Sequence, residues 1–542
     1  MRGRENEINS SRECNQLKAK SKKNMKKAIT FFLMLVSFGM MQAQTTELTN
    51  LVVFVRFADD AEIDHPFAQI DTMFNGKTPG YLSVYNFYDV MTYGKIHYNT
   101  IYTNNIQNGV IVSYQDAHPR AYFEPYTPFN PIGYTEPNPF MGVSMREAQL
   151  LGRIVSYIDS MHLVDSSVSL DGNADGLLDN LSIIVKGGTG AWASILWPHM
   201  EYFPYDSLDY EPKVNGLKIN TFNFEFEGAS PALFSAHVFR HEMGHSLNLP
   251  DLYHYINYGD ISAAGTWDMM CSNYQNNQMA AIYKNKILHV SDDPIEITED
   301  GDYTLLSVGS SPSQNCYYIK SHIDPTQWYV FEYRSQADLF DESIPGTGLL
   351  VARWNDTVSL DYNGMFANAF FDFYNQAHQY WIFRPGSAID TVNGWIEEAH
   401  FSQASGRTSF GPTTDPHPYL TDGTPESSFE ITNIQENGNQ LTFHVHFFDT
   451  GIEEHTLAGE LSVYPNPTND FVNVQCTMNN EQVEVQSVEV LDVYGKLVTV
   501  VGANNYSPLQ PRINVGNLPA GVYMLKITTT DGTSCVKKIV KK

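Results

Sequence analysis

Residues 241–251 read His-Glu-Met-Gly-His-Ser-Leu-Asn-Leu-Pro-Asp, and the fold expected of the first half of the chain follows from how that run must be built. On a helix, His241 and His245 lie one turn apart on one face, close enough to share a Zn²⁺. Glu242 stands beside the first of them, in reach of a metal-activated water whose proton it can accept as general base. Asn248 tolerates the left-handed conformation that closes a helix, and Pro250 cannot continue one, so the helix is expected to end just after His245. The chain then turns back and brings Asp251 towards the metal as third ligand. Two imidazole nitrogens, one carboxylate oxygen and an open fourth position make a catalytic rather than a structural zinc site. The blander alternative is a buried helix whose histidines only satisfy hydrogen bonds. It leaves the base and the helix breaker without a reason. His237, on the same helical face, is too far along the axis to reach the metal and reads as a packing or supporting residue.

The 542-residue chain is long enough for about three domains and a large core. Lys26-Lys27, the apolar run Ala28 to Met41 and then Gln42-Ala43 read as a signal peptide cut after Ala43, with Met25 expected as the true start and residues 1–24 as an upstream leader. That run is short for a transmembrane span, and no other segment approaches one. Residues 1–43 carry nine Lys/Arg and three Asp/Glu, so the processed chain keeps 24 basic and 58 acidic residues, a net charge of −34. Such a surface repels nucleic acid and suits a secreted protein with acidic cation sites. Four cysteines remain: Cys271, Cys316, Cys476 and Cys535. A Cys476–Cys535 disulfide is open to a secreted chain, and Cys271 is equally open to being a free buried thiol.

Hydrophobic periodicity predicts an α+β catalytic domain over 44–292. Leu51 to Phe57 reads as a buried first strand and Leu181 to Val185 as a core strand. Met145, Ala148, Leu151, Ile154 and Ile158 mark a long helix between Met141 and about His162. Leu217 to Phe226 alternates like an edge strand, the element with which an extended substrate backbone could pair. Pro119 to Phe140 holds six prolines and reads as a long surface loop near the cleft. From 293 to 448 the texture changes to short alternating runs (Tyr303-Thr-Leu-Leu, Tyr317-Tyr-Ile-Lys, Trp328 to Tyr333, Gly348 to Arg353) expected of a β-sandwich-like accessory domain packed on the first. A polar linker, 449–460, precedes a last domain over 461–542, expected as a small Ig-like β-sandwich with a Lys-rich end.

The segment Asp171-Gly-Asn173-Ala-Asp175-Gly176-Leu177-Leu-Asp179 reads as a Ca²⁺ loop. Asp171, Asn173, Asp175 and Asp179 supply oxygens at alternate positions, Leu177 a carbonyl, and Gly176 the sharp turn. Ser182 stands where an EF-hand would have its bidentate Glu. The alternative is a turn that binds nothing and starts the next strand.

His241-Glu242-x-Gly244-His245-Ser-Leu-x-Leu249-Pro250-Asp251-Leu-Tyr253 resembles the active-site segment of the immune-inhibitor-A-like secreted metalloproteases, in which Gly is usual at the position of Asn248. The resemblance extends to Gly265-Thr266-Trp267-Asp268-Met269-Met270, where Met270 would floor the zinc site, to the segment 171–179, and to Ile195-Leu-Trp197-Pro-His199, similar to the family's strand before the zinc helix. In order, these cover roughly residues 50–290. The resemblance implies a zincin fold and a secreted zinc endopeptidase with Glu242 as base and His241, His245 and Asp251 as ligands. Asp268 is a second acidic residue near the expected site wall. Tyr253, Tyr274 and Tyr283 are near enough in sequence to be considered as oxyanion stabilisers, though each reads better as packing. Val463-Tyr-Pro-Asn-Pro-Thr468, Val490 to Lys496 and Leu518 to Lys526 together resemble the C-terminal sorting domain of the type IX secretion system. That implies export through the periplasm of a Gram-negative bacterium, with the secretion machinery as partner and a secreted or surface-attached product. The competing reading of the whole is a surface adhesin or glycan-binding protein on a zincin-like scaffold.

Overall fold

The computed structural model describes residues 45–135, 143–188, 190–228, 236–253, 261–272, 276–358, 378–448, 461–478, 481–482, 485–492, 497–502, 512–529 and 534–542. The leader and signal-peptide assignment, the 449–460 linker and Tyr274 lie outside them. The chain is mostly β-sheet with few helices and divides into two compact units, Met1–His446 and Phe447–Lys542. Among the described residues no helix is long and apolar enough to cross a membrane.

The first unit begins with a six-stranded sheet built from β1 (Thr46–Arg56), β2 (Ile96–Tyr102), β3 (Tyr114–Gln115), β4 (Leu177–Val185), β5 (His199–Tyr202) and β6 (Lys218–Phe226), in the order β2-β1-β4-β6-β5 with β3 pairing β1. The first four strands of that order run parallel, and β5 closes the sheet antiparallel to β6. Helices α1 (Phe67–Asn75), α2 (Val84–Met91), α3 (Met145–Ser160) and α4 (Ala236–His245) accompany it. Alternation sorts the side chains by face. Leu51, Val53 and Val55 of β1 and Phe222, Phe224 and Phe226 of β6 join a core with α3. Val52 and Phe54 join another with α1, α2 and α4. Helix α3 starts with a capping box in which Ser144 and Glu147 each accept the other's backbone amide, worth about 1 kcal/mol. Its buried positions 148, 151, 154 and 158 repeat at helical spacing.

Two expectations need correction. The 217–226 strand is not an edge: β6 is paired on both sides, in parallel with β4 and antiparallel with β5. Its alternation arises because its second face, Thr221, Asn223 and Glu225, is polar yet buried rather than solvated. The run 195–199 is likewise mostly not strand: Ala191–Ser194 forms a 3₁₀ turn and β5 begins only at His199.

Beyond residue 293, β7 (Ile295–Glu296), β8 (Gly301–Leu306), β9 (Tyr317–Lys320), β10 (Gln327–Arg334), β11 (Gly348–Asn355), β12 (Tyr380–Ile382), β13 (Phe429–Asn437) and β14 (Gln440–Phe447) form two sheets, β12-β11-β10-β9-β7 and β8-β14-β13. Aromatic contacts between them, Phe331–Phe443 and Tyr329–Phe429, make a sandwich. The core around α4 continues into this region without a break through Val330, Phe340, Leu350, Trp354 and Tyr380. The second unit, described by itself, has β15 (Leu461–Tyr464), β16 (Phe471–Met478), β17 (Glu481–Gln482), β18 (Val485–Leu491), β19 (Leu497–Gly502), β20 (Arg512–Asn514), β21 (Gly521–Thr529) and β22 (Ser534–Lys541). They make two four-stranded sheets around Val472, Val474, Val488, Val490, Ile513, Leu525, Ile527 and Ile539. Cys476 and Cys535 fall on different sheets, and the expected pairing rests on side chains outside the described set. Cys271 and Cys316 are free.

Candidate metal centre

Helix α4 ends at His245, as the breaker residues require. Asn248 adopts φ +65°, and the amides of Leu247 and Leu249 return to the carbonyl of Gly244. This reversal brings Asp251 back over the helix. Its Oδ1 lies 3.1 Å from His241 Nε2 and 3.2 Å from His245 Nε2. Each ring donates its other nitrogen to a backbone carbonyl, His241 Nδ1 to Met269 O at 2.9 Å and His245 Nδ1 to Leu249 O at 2.7 Å. A carbonyl can only accept, so both neutral rings keep an Nε2 lone pair turned towards one point. Ligand atoms of His241, Glu242 and His245 lie within 4.8 Å of one another, and all three residues are buried. His237 stands outside this cluster.

These residues fit a zinc ion. A tetrahedral ion with bonds of about 2.1 Å separates its ligand atoms by about 3.4 Å, close to the two nitrogen–oxygen distances observed. The surrounding charges draw a cation to this point. Burial by itself would lower His241, but Asp251 and Glu242 outweigh it and raise the imidazole to about 9. His245 is likewise raised against burial, chiefly by Asp251. Burial would raise Asp251, and the two imidazoles hold it far below the usual carboxylate range instead. Two lone pairs facing a carboxylate call for a cation between them, a proton or a metal.

Asp268, the other acidic residue considered, is committed elsewhere. Its two oxygens accept the amides of Met270 at 2.8 Å and Ala280 at 2.7 Å. Its carboxyl is raised to about 6 by burial, with Arg334 and these amides opposing. Met269 and Met270 pack against the helix at Gly244: a side chain there would meet Met269 Cε at 2.9 Å and Met270 Sδ at 3.0 Å. Tyr253 stacks near His241 with ring centroids 6.2 Å apart, and burial and its hydrogen bond with Asp251 raise its hydroxyl. It bonds Asp251, a contact the sequence reading did not foresee. Tyr283 lies in the core with its hydroxyl on Gln379, and so is not an oxyanion stabiliser.

The polar face of β6 was also missed. Thr221 bonds Ser246 just past α4, and Asn223 and Glu225 follow at alternate positions along the strand. Both Asn223 side-chain polar atoms and Glu225 Oε2 are buried without a hydrogen-bond partner among the described residues. Burial, with a contribution from Glu242, raises Glu225 to about 8. Only the run of polar residues at every second position hinted at this wall.

In the acidic loop, the side chains of Asp171, Asn173 and Asp175 accept the amides of residues 175–177. Asp179 Oδ2 accepts the amides of Thr49 and Gly172, both at 2.8 Å. Leu177 opens β4. Asp171, Asn173 and Asp175 therefore share one loop, which Gly176 turns at φ +90°, and Leu177 and Asp179 lie on the strand that follows it.

Residues 462–542 match the family described as the secretion system C-terminal sorting domain. The second unit is a type IX secretion sorting domain. It marks the protein for export, to a secreted or cell-surface location, and implies contact with the secretion machinery. No curated protein matches the chain. Among solved structures, a DUF3244 family protein from Bacteroides vulgatus with an immunoglobulin-like β-sandwich is 17% identical, with 16% of this chain and 91% of that chain covered and a TM-score of 0.13. CopC from Methylosinus trichosporium OB3b is 21% identical over 15% of this chain and 90% of that one, with a TM-score of 0.12. Both likenesses are confined to a small part of the chain.

Proposed function

We propose that the unit ahead of the sorting domain is a zinc endopeptidase of zincin architecture, similar to the immune-inhibitor-A-like proteases. The observation that carries this reading is the convergence of His241 Nε2, His245 Nε2 and Asp251 Oδ1, with both imidazoles held by backbone carbonyls. His241, His245 and Asp251 would hold the ion. When bound, zinc supplies Lewis-acid polarisation of the scissile carbonyl and of the attacking water. Glu242 accepts the proton of that water and returns it to the leaving amine. Burial of Glu242 and its neighbours keeps bulk water from competing. β5 lacks a partner on its outer side among the described strands. An extended polypeptide pairing there would be held by its backbone, largely independently of its side chains. The packing of Met270 against Gly244 supports the reading, Met270 being the residue that would floor the site, and the segment 171–179 would hold Ca²⁺ through Asp171, Asn173, Asp175, Asp179 and the Leu177 carbonyl.

A casein or gelatin zymogram tests the proposal. The expected outcome is a clearing band that a chelator abolishes and zinc restores. An intact, zinc-loaded protein that clears neither substrate would favour the adhesin reading.

A further inference from the structure

Two of the three residues assigned to the metal lean on one short segment. The carbonyl of Met269 holds the His241 ring. The carbonyl of Met270 accepts the amide of Leu252, directly after Asp251, at 2.9 Å. Any drift of 269–270 would therefore shift a histidine and the carboxylate relative to His245, which is held by Leu249.

That segment is fixed from outside the 44–292 region. Arg334, at the end of β10 and wholly buried, donates to the carbonyl of Trp267 at 2.7 Å and to that of Gln278 at 3.4 Å. Asp341 binds the same guanidinium through both oxygens, at 3.0 and 2.6 Å, and accepts the Gln278 amide at 2.9 Å. Glu332 accepts from Arg334 and from the Ala281 amide, at 3.3 and 2.7 Å. Asp268 ties Met270 to Ala280 inside this frame. A planar guanidinium gripped by two carboxylates has one orientation, so it delivers its remaining N–H groups to fixed points. We infer that Arg334 is a positioning residue for the metal centre, acting through Trp267 and Asp268 on the carbonyls of Met269 and Met270. The region after 293 then belongs to the catalytic unit rather than to a separable accessory domain.

The inference rests on the proposed metal reading, and its test begins with zinc binding by the wild-type protein, read by competition with a chromophoric chelator. Removing Arg334 alone strands two buried carboxylates and can unfold the protein. The informative variant is therefore Arg334→Met with Glu332→Gln and Asp341→Asn, which keeps the acceptors of the Ala281 and Gln278 amides. A zinc Kd at least about tenfold weaker and an altered visible spectrum of the cobalt-loaded protein are expected, in a variant whose circular dichroism stays native. Neutralising another buried pair of the same region, by Arg353→Met with Asp390→Asn, is expected to leave both readouts unchanged. Wild-type protein that binds no zinc overturns the metal reading and this inference together. A folded Arg334 variant with wild-type zinc affinity and cobalt spectrum overturns the inference alone, as does an equal loss in the Arg353 control.

Discussion

Glu242 and Asp251 both lie beside the two histidines and are assigned different work, which substitutions can separate. Glu242→Gln preserves shape but cannot take a proton from water. Its expected outcome is full metal content with turnover lower by about 10²–10⁴-fold; more than a few per cent of wild-type peptide hydrolysis would refute the base assignment. Asp251→Ala removes the oxygen that faces both Nε2 atoms, so the purified variant should carry clearly less than one zinc per chain. Asp268→Ala should instead reach one zinc per chain when zinc is saturating, while melting lower. Its loss leaves the buried amides of Met270 and Ala280 without their acceptor, at about 1–3 kcal/mol each. Full zinc in the Asp251 variant with none in the Asp268 variant would exchange their roles.

Among the elements, the edge strand is tied to the long helix by a buried pair. His199 on β5 donates Nδ1 to the Trp197 carbonyl at 2.6 Å and points Nε2 at Glu147 of α3, 3.0 Å away. Nδ1 is committed as a donor, so a favourable contact with the carboxylate needs a second proton on the ring. Burial opposes that proton, but Glu147, the Trp197 carbonyl and Glu242 prevail and His199 is raised. The folded state then binds more protons than the unfolded one above the unfolded value of about 6.5. The pair's stabilisation is whole below that pH and disappears as pH climbs through the folded value. Urea midpoints measured from pH 6 to 10 should fall more steeply in the wild type than in His199→Gln; parallel curves would refute the clamp. The acidic loop offers a second test at this scale. If it binds Ca²⁺ only when folded, the ion must raise the melting temperature by mass action. Asp175→Ala should abolish that rise, and a wild-type melting curve indifferent to millimolar Ca²⁺ after calcium removal would leave the plain-turn reading.

For the molecule as a whole, packing predicts where the chain can be cut. The core beside α4 includes Val330, Phe340, Leu350, Trp354 and Tyr380, and a chain ending at residue 292 would expose their partners. Such a fragment should bind hydrophobic dyes and lack near-ultraviolet circular dichroism, whereas a chain ending at residue 446 should unfold in one cooperative step. A cooperative 44–292 fragment would contradict this. Removing the sorting domain should spare folding of the first unit and stop export.

The placing of His241 and His245 together with Glu242 beside them, and the helix end, were legible in residues 241–251, because a helix fixes side-chain positions by spacing alone and Asn248 and Pro250 terminate it through backbone sterics. The sorting domain was legible through three different short motifs that follow one another in order along it. Three features were not. The edge position of β5 depends on which strands pair, and alternation looks the same for a solvated face and for a buried polar one such as Thr221, Asn223 and Glu225. The commitment of Asp268 to backbone amides is set by where residue 280 returns in space. The grip of Arg334 on Trp267 joins residues 67 positions apart. Local sequence determined which groups this protein carries on its helix, and only long-range packing decided which carbonyls and charges hold them, because those contacts form between segments whose separation along the chain carries no periodic signal.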